Sequence, residues 1–167
     1  MDTHPTILIA EDSADDRMLI ELGFRRAQFP FAIQFVEDGV CATEYLEGTG
    51  AFGDRAKFPL PVVLLTDLKM PRMDGFELLE WVRGHEAWRS LPVIVLTGSS
   101  RSEDCDRATE AGADYYLVKE LLMRPPPSLF EAIQRYAVGG ASCMSQRTAD
   151  SKRPPKSGAR RPKKVEN

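Results

Sequence analysis

Five side chains of this sequence could together handle a phosphoryl group. They are the adjacent acids Glu11 and Asp12, the carboxylate of Asp67, the hydroxyl of Thr97 and the ammonium of Lys119. Each closes or directly follows a short apolar run: Ile7 to Ala10, Val62 to Thr66, Val93 to Thr97 and Tyr115 to Val118. Three carboxylates brought together repel. At ~4 Å and an effective dielectric of ~20, each like-charge pair costs about 4 kcal/mol before relaxation, so protons or a cation must relieve the crowding. Hard carboxylate oxygens with open positions suit Mg²⁺, which keeps several waters and shares phosphate oxygens. Lys119 adds a mobile point charge for a phosphoryl oxygen, Thr97 a hydroxyl donor, and Asp67 a nucleophile for an acyl phosphate. Each residue alone has a plainer reading. An acid after a strand is commonly a cap or turn residue, an acidic pair favours a helix start, and a lysine is commonly solvated. The joint placement at successive strand ends is what points to a site.

The elements that must position them alternate between strand and helix patterns. A strand at Ile7–Ala10 leads to a helix opened by Ser13, with Asp16 as its capping partner and Met18, Leu19, Leu22 and Arg26 at helical spacing. Ala32–Val36 reads as strand two, and Asp38-Gly39 leads into a helix with Ala42, Tyr45 and Leu46 that Gly48 ends. A long connection, Thr49 to Leu60, precedes strand three at Val62–Thr66. Asp74 caps a helix with Phe76, Leu79 and Val82; Val93–Thr97 is strand four. Ser100 and Glu103 start helix four, Gly112 ends it, and Tyr115–Val118 is strand five. Ser128 and Glu131 start a last helix with Leu129, Ile133 and Tyr136. Strands three and four are nearly continuous apolar runs, as in parallel sheets covered on both faces, and parallel strands need right-handed helical crossovers. The expected fold is α/β: a doubly wound five-stranded parallel sheet in the order 2-1-3-4-5, which places ligands at the carboxyl ends of its strands.

Charge divides the chain of 167 residues. Residues 1–140 carry 14 Lys and Arg against 23 Asp and Glu, a balance of −9; residues 141–167 carry 8 against 2, a balance of +6. A domain over 1–140 and a basic, disordered tail over 141–167 are expected, because the tail has too little apolar area to offset its chain entropy. The acidic body is a poor direct partner for nucleic acid. No apolar run approaches the ~20 residues of a membrane span, and secretion is not expected, because the first residues hold no basic stretch followed by an apolar one. The cysteines, Cys41, Cys105 and Cys143, lie too far apart for a metal or redox motif and read as reduced thiols of a cytoplasmic protein. His4 and His85 read as surface residues, which leaves little for histidine-based catalysis.

The runs Ile7-Leu-Ile-Ala-Glu-Asp-Ser13 and Leu65-Thr-Asp-Leu-Lys-Met-Pro-Arg-Met-Asp-Gly75 come in order with Leu96-Thr-Gly-Ser99, Ala111-Gly-Ala-Asp114 and Tyr116-Leu-Val-Lys119. Together they resemble the receiver domain of bacterial two-component response regulators, a flavodoxin-like fold, across residues 6–138. The long connection before strand three, with Val36-Glu-Asp-Gly39 and Leu91-Pro-Val-Ile-Val-Leu-Thr97, is similar to single-domain regulators that partner phytochrome histidine kinases. The resemblance implies Asp67 as phosphoacceptor, and Mg²⁺ held by Glu11, Asp12, Asp67 and the backbone carbonyl of Lys69. Thr97 and Lys119 would grip the phosphoryl group. Tyr116 would be the aromatic switch residue that turns inward when Thr97 is drawn to the phosphate, with Gly98 leaving room. Lys69 and Ser99 would flank the path of attacking water, with the Lys69 side chain reaching a phosphoryl oxygen or Glu11. One departure stands out: the family's usual Pro after the lysine is Glu120, so a more flexible loop is expected there.

The expected function is therefore a stand-alone response regulator. It takes a phosphoryl group from a kinase phosphohistidine onto Asp67 and signals through Thr97 and Tyr116. It is a switch with self-catalysed transfer and slow self-dephosphorylation rather than a turnover enzyme. A homodimer through helix four, strand five and helix five is expected, because the edge strand, flanked by Tyr115, Leu117 and the two helix faces, needs covering. Two alternatives stand beside it. An Asp-nucleophile phosphohydrolase would normally carry a second acid two residues on, where this chain has Lys69; a phosphate-independent binding module would be expected to lose the acceptor, the acidic pair or the lysine.

Overall fold

The computed structural model describes residues 4–98, 102–125 and 127–138. The tail assigned to 141–167, Ser99, Ser100 and Cys143 lie outside the described residues. The elements run β1 (Thr6–Ala10), α1 (Ala14–Arg26), β2 (Ala32–Val36), α2 (Gly39–Glu47), β3 (Pro61–Asp67), α3 (Gly75–Gly84), β4 (Val93–Thr97), α4 (Ser102–Glu110), β5 (Tyr115–Val118) and α5 (Pro127–Val138), with 3₁₀ helices at Gly50–Phe52 and Lys119–Met123. The five strands form one sheet in the order β2-β1-β3-β4-β5, and every pair is parallel. That is the architecture expected from the alternating pattern.

Pleating sorts the strand residues to two faces. Ile7, Ile9, Val63, Leu65, Ile94, Leu96 and Leu117 pack with Ile20 and Phe24 of α1 and Leu129 and Ile133 of α5. On the other face Leu8, Ala10, Leu64 and Val93 pack with Ala42, Tyr45 and Leu46 of α2 and Leu78, Leu79 and Val82 of α3. A smaller cluster joins Leu68, Phe76 and Val95 to Ala108 of α4. Burial on both faces explains why β1, β3 and β4 are almost wholly apolar.

Four local expectations are revised. β3 begins at Pro61 and ends at Asp67, so the acid is the last residue of the strand rather than the first beyond it. Proline is tolerated at a first strand position. The core face of α1 is Ile20, Gly23 and Phe24; Met18, Leu19 and Leu22 are exposed. Both sets have helical spacing, and only the position of the sheet chooses between them. Leu117, expected to flank an exposed edge, points into the core at 3% exposure. After β5 the chain forms a 3₁₀ turn packed on α1, with Leu122 buried in the core. α5 starts at Pro127, a residue favoured at the first helical position.

The long α2–β3 connection also has an internal structure. Arg55 donates to the carbonyls of Tyr45 (2.8 Å) and Leu46 (2.7 Å), satisfying the end of α2. Phe58 packs edge-on and Phe52 at a tilt against Tyr45, whose hydroxyl donates to the Pro59 carbonyl at 2.8 Å.

Candidate functional site

β1 carries the chain to Glu11, whose N–H extends the sheet by donating to the Val36 carbonyl at 2.9 Å. Glu11 is fully buried and Asp12 is exposed. Ser13 caps α1, its hydroxyl accepting from the Asp16 N–H at 3.2 Å. The reciprocal bond expected from Asp16 does not form. Glu11 Oε1 accepts the Ser13 N–H instead, at 3.1 Å, which leaves the Asp16 carboxylate free to face elsewhere.

β3 delivers Asp67, 8% exposed. Its Oδ1 accepts from the Leu68 N–H at 2.7 Å and its Oδ2 from Lys119 Nζ at 2.9 Å. The turn beyond it folds back tightly enough that a Cβ on Gly75 would lie 2.1 Å from the Asp67 carbonyl oxygen. Only glycine fits there. Asp74 and Glu77 then start α3 with reciprocal capping bonds of 2.9 Å. Arg72, in the left-handed region at φ 63°, is tied to buried Asp38 at the start of α2. The β3–α3 turn is thus anchored across 34 residues of sequence.

β5 delivers Lys119, whose Nζ lies 2.6 Å from Glu11 Oε2, 2.8 Å from Asp16 Oδ2 and 2.9 Å from Asp67 Oδ2. Burial alone would push the lysine pKa down. The bonds to Asp16, Glu11 and Asp67 outweigh burial and hold it above its ordinary value, so the ammonium stays charged. Burial pushes the Glu11 carboxyl above the usual range, with Lys119 offsetting part of the shift. Glu11 Oε2 contacts the ammonium off the direction of a hydrogen bond and is a buried oxygen with none. Asp12 has neither a hydrogen bond nor an ion pair among the described residues. One oxygen each from Glu11, Asp12 and Asp67 lies within 4.8 Å of the others. Three carboxylates meet one ammonium, Asp12 stands beside them without an ion pair, and an under-bonded buried oxygen sits among them. That donor set fits a hard divalent cation.

Residues 7–134 match the response regulator receiver domain. The chain belongs to that family. A curated relative from Methanothrix harundinacea, the probable methanogenesis regulatory protein FilR2, is 35% identical over 136 residues, covering 80% of this chain and 83% of its own. Among solved structures, the bacteriophytochrome response regulator AtBRR is 31% identical over 87% of this chain and all of its own, with a TM-score of 0.66. The Mn²⁺-bound form of response regulator Rcp1, a Synechocystis protein, is 26% identical over 84% of this chain and 99% of its own, with a TM-score of 0.62.

In this receiver the two expected switch residues already meet. Thr97, 4% exposed, ends β4, and Tyr116 of β5 lies half-buried against Leu68, Phe76, Val95 and Ala108. Burial raises the Tyr116 phenol pKa and a hydrogen bond with Thr97 draws it back. Of the two reaches expected of Lys69, the one to Glu11 does not form: its side chain is exposed and makes no ion pair with that acid. The buried carboxylate is already engaged by Ser13 and Lys119. Two site features escaped the sequence reading. Asp16 sits at the helical position where a capping acid is ordinary, and its partner is 103 residues away. Arg72 and Asp38 are each ordinary turn or cap residues, and nothing local pairs them.

Proposed function

We propose that this receiver accepts a phosphoryl group from the phosphohistidine of a histidine kinase onto Asp67. The observation that carries the reading is Asp67 Oδ2 under the Lys119 ammonium, in a cluster of three carboxylates that this single cation does not neutralise. Glu11, Asp12, Asp67 and the backbone carbonyl of Lys69 would hold Mg²⁺. Bound there, the ion would neutralise the acids and the charge of the incoming phosphoryl group. The Asp67 carboxylate attacks phosphorus: a P–O bond forms, the P–N bond to the imidazole breaks, and the electron pair leaves on the ring nitrogen. Lys119 holds a phosphoryl oxygen and Thr97 donates to another. Stabilising that contact biases the Thr97–Tyr116 pair and the surface of α4, β5 and α5. Water later cleaves the acyl phosphate and restores the carboxylate.

Lys69 at the position of a second acid argues against a phosphohydrolase, and the complete set of acceptor, acidic pair and lysine argues against a phosphate-independent module. A phytochrome as the kinase is supported by likeness to AtBRR, while FilR2 shows that relatives serve other systems. We place the protein in the cytoplasm as a homodimer through α4, β5 and α5; no helix among the described residues is long and apolar enough to cross a membrane. The test is transfer of labelled phosphate from purified autophosphorylated kinases. Acid-labile, hydroxylamine-sensitive label at one per chain is expected. Sustained turnover of phosphate esters would favour the hydrolase, and no label from any kinase or small donor would favour the binding module.

A further inference from the structure

Asp16 is the one acid touching Lys119 that is outside the converging set of Glu11, Asp12 and Asp67. Its freedom to do so is built into the helix start. An acid three residues after a serine cap ordinarily bonds back to the cap N–H, but here Glu11 Oε1 has taken that donor. The Asp16 carboxylate, half-buried on the first turn of α1, turns to Lys119 Nζ at 2.8 Å. An ammonium has three N–H donors, and Glu11, Asp16 and Asp67 surround this one. Asp16 holds it by a hydrogen bond and Glu11 by an ion-pair contact from the β1–α1 side, and a second donor lies on Asp67 Oδ2. The lysine is the first residue of the 3₁₀ turn that packs on α1, so the Asp16 bond also joins those two elements.

We propose that Asp16 is a positioning residue for phosphoryl transfer. It anchors the ammonium from α1 so that one donor stays aimed at the acceptor oxygen and passes to a phosphoryl oxygen once Asp67 is esterified. Without it, four rotatable bonds of the lysine stem have only the crowded acids to fix them, and the donor is no longer pre-set when the phosphoryl group arrives. The inference rests on Asp67 being the acceptor.

The neighbouring Asp15 supplies the control, because it is exposed, lies on the same first turn and touches no partner. Asp15→Ala removes the same charge from the same helix end. Phosphorylation by acetyl phosphate with Mg²⁺ in excess, a donor that brings no partner protein, should slow 5- to 10-fold in Asp16→Ala. It should stay within 2-fold of wild type in Asp15→Ala and recover to within 3-fold in Asp16→Glu. A second readout needs no metal or donor. The proton–nitrogen correlation of Lys119 Nζ, sharp when the ammonium is held, should broaden in Asp16→Ala and persist in Asp15→Ala. Equal rates and equal Lys119 signals in the two alanine variants would overturn the proposal, as would a matched slowing in both. If Asp67→Asn still takes the label, the parent reading fails; if Asp67→Asn is inert while Asp16→Ala matches wild type, this inference alone fails.

Discussion

The two ends of the sheet handle charge in opposite ways. At the amino end of β4, Arg83 meets one acid and three carbonyls: it donates to Asp114 Oδ2 and the Leu91 carbonyl at 2.8 Å, the Gly112 carbonyl at 2.9 Å and the Arg89 carbonyl at 3.1 Å. Asp114 also accepts the N–H of Val93, the first residue of β4. Charge is matched one to one, and the clasp joins α3 to the α4–β5 turn. At the carboxyl end, three carboxylates share one ammonium, a fourth acid, Asp12, is unpaired among the described residues and one buried oxygen lacks a hydrogen bond. The first end holds the fold together. The second keeps unmatched negative charge where a cation and a phosphoryl group can use it, which is stability given up for function.

The contrast can be broken or sharpened by experiment. The largest expected effect is at the acceptor: Asp67→Asn should abolish hydroxylamine-sensitive phosphorylation, because the amide lacks the charged nucleophilic oxygen, and persistence of label at the wild-type rate would remove Asp67 from its role. Next, Asp12→Ala should weaken Mg²⁺ binding by about 10-fold or more and slow phosphotransfer with it. The metal-free variant should melt no lower than wild type, since the lost acid was unpaired, and the rise in melting temperature on adding Mg²⁺ should shrink. Arg83→Ala should do the reverse. It should cost about 2 kcal/mol by freeing Asp114 and several carbonyls while phosphorylation by acetyl phosphate keeps its rate, as denaturant melts and label uptake would show. A loss of transfer without a loss of stability would erase the distinction between the ends.

The smallest effect is a slope. The Glu11 carboxyl binds its proton more tightly in the folded, metal-free chain than at its ordinary value of 4.5. Its contribution is therefore fully present below about pH 4.5 and is lost as pH rises through the higher folded value. Glu11→Gln should flatten that decline in metal-free urea titrations across the same window. An unchanged slope would mean that Lys119 already cancels the burial of Glu11.

The strand runs and the acids at their ends were legible because each depends on local physics. A strand buried on both faces must be apolar along its length, as Ile7 to Ala10 and Val93 to Leu96 are, and a polar residue can reappear only where the sheet stops. Alternation of such strands with helices leaves few topologies, which is why the strand order could be expected. The α1 face was not legible, because Met18, Leu19 and Leu22 fit a helical stripe as well as Ile20, Gly23 and Phe24 do. The turn after Lys119 was not legible either, because the missing proline is visible locally, whereas Leu122 meets the core through contact with distant elements.

The sequence by itself determined the layered α/β architecture and brought Glu11, Asp12, Asp67, Thr97 and Lys119 to strand ends, since burial pattern and strand termination are properties of short segments. Only the tertiary structure decided which acids hold the ammonium. The bonds of Lys119 to Asp16 and Asp67 span 103 and 52 residues, and that of Arg72 to Asp38 spans 34. Their formation depends on which rotamers meet after the helices have packed, and on Glu11 capturing the Ser13 N–H before Asp16 can. That competition between two acids for one donor is settled by a buried distance of about 3 Å, and no spacing in the chain encodes it.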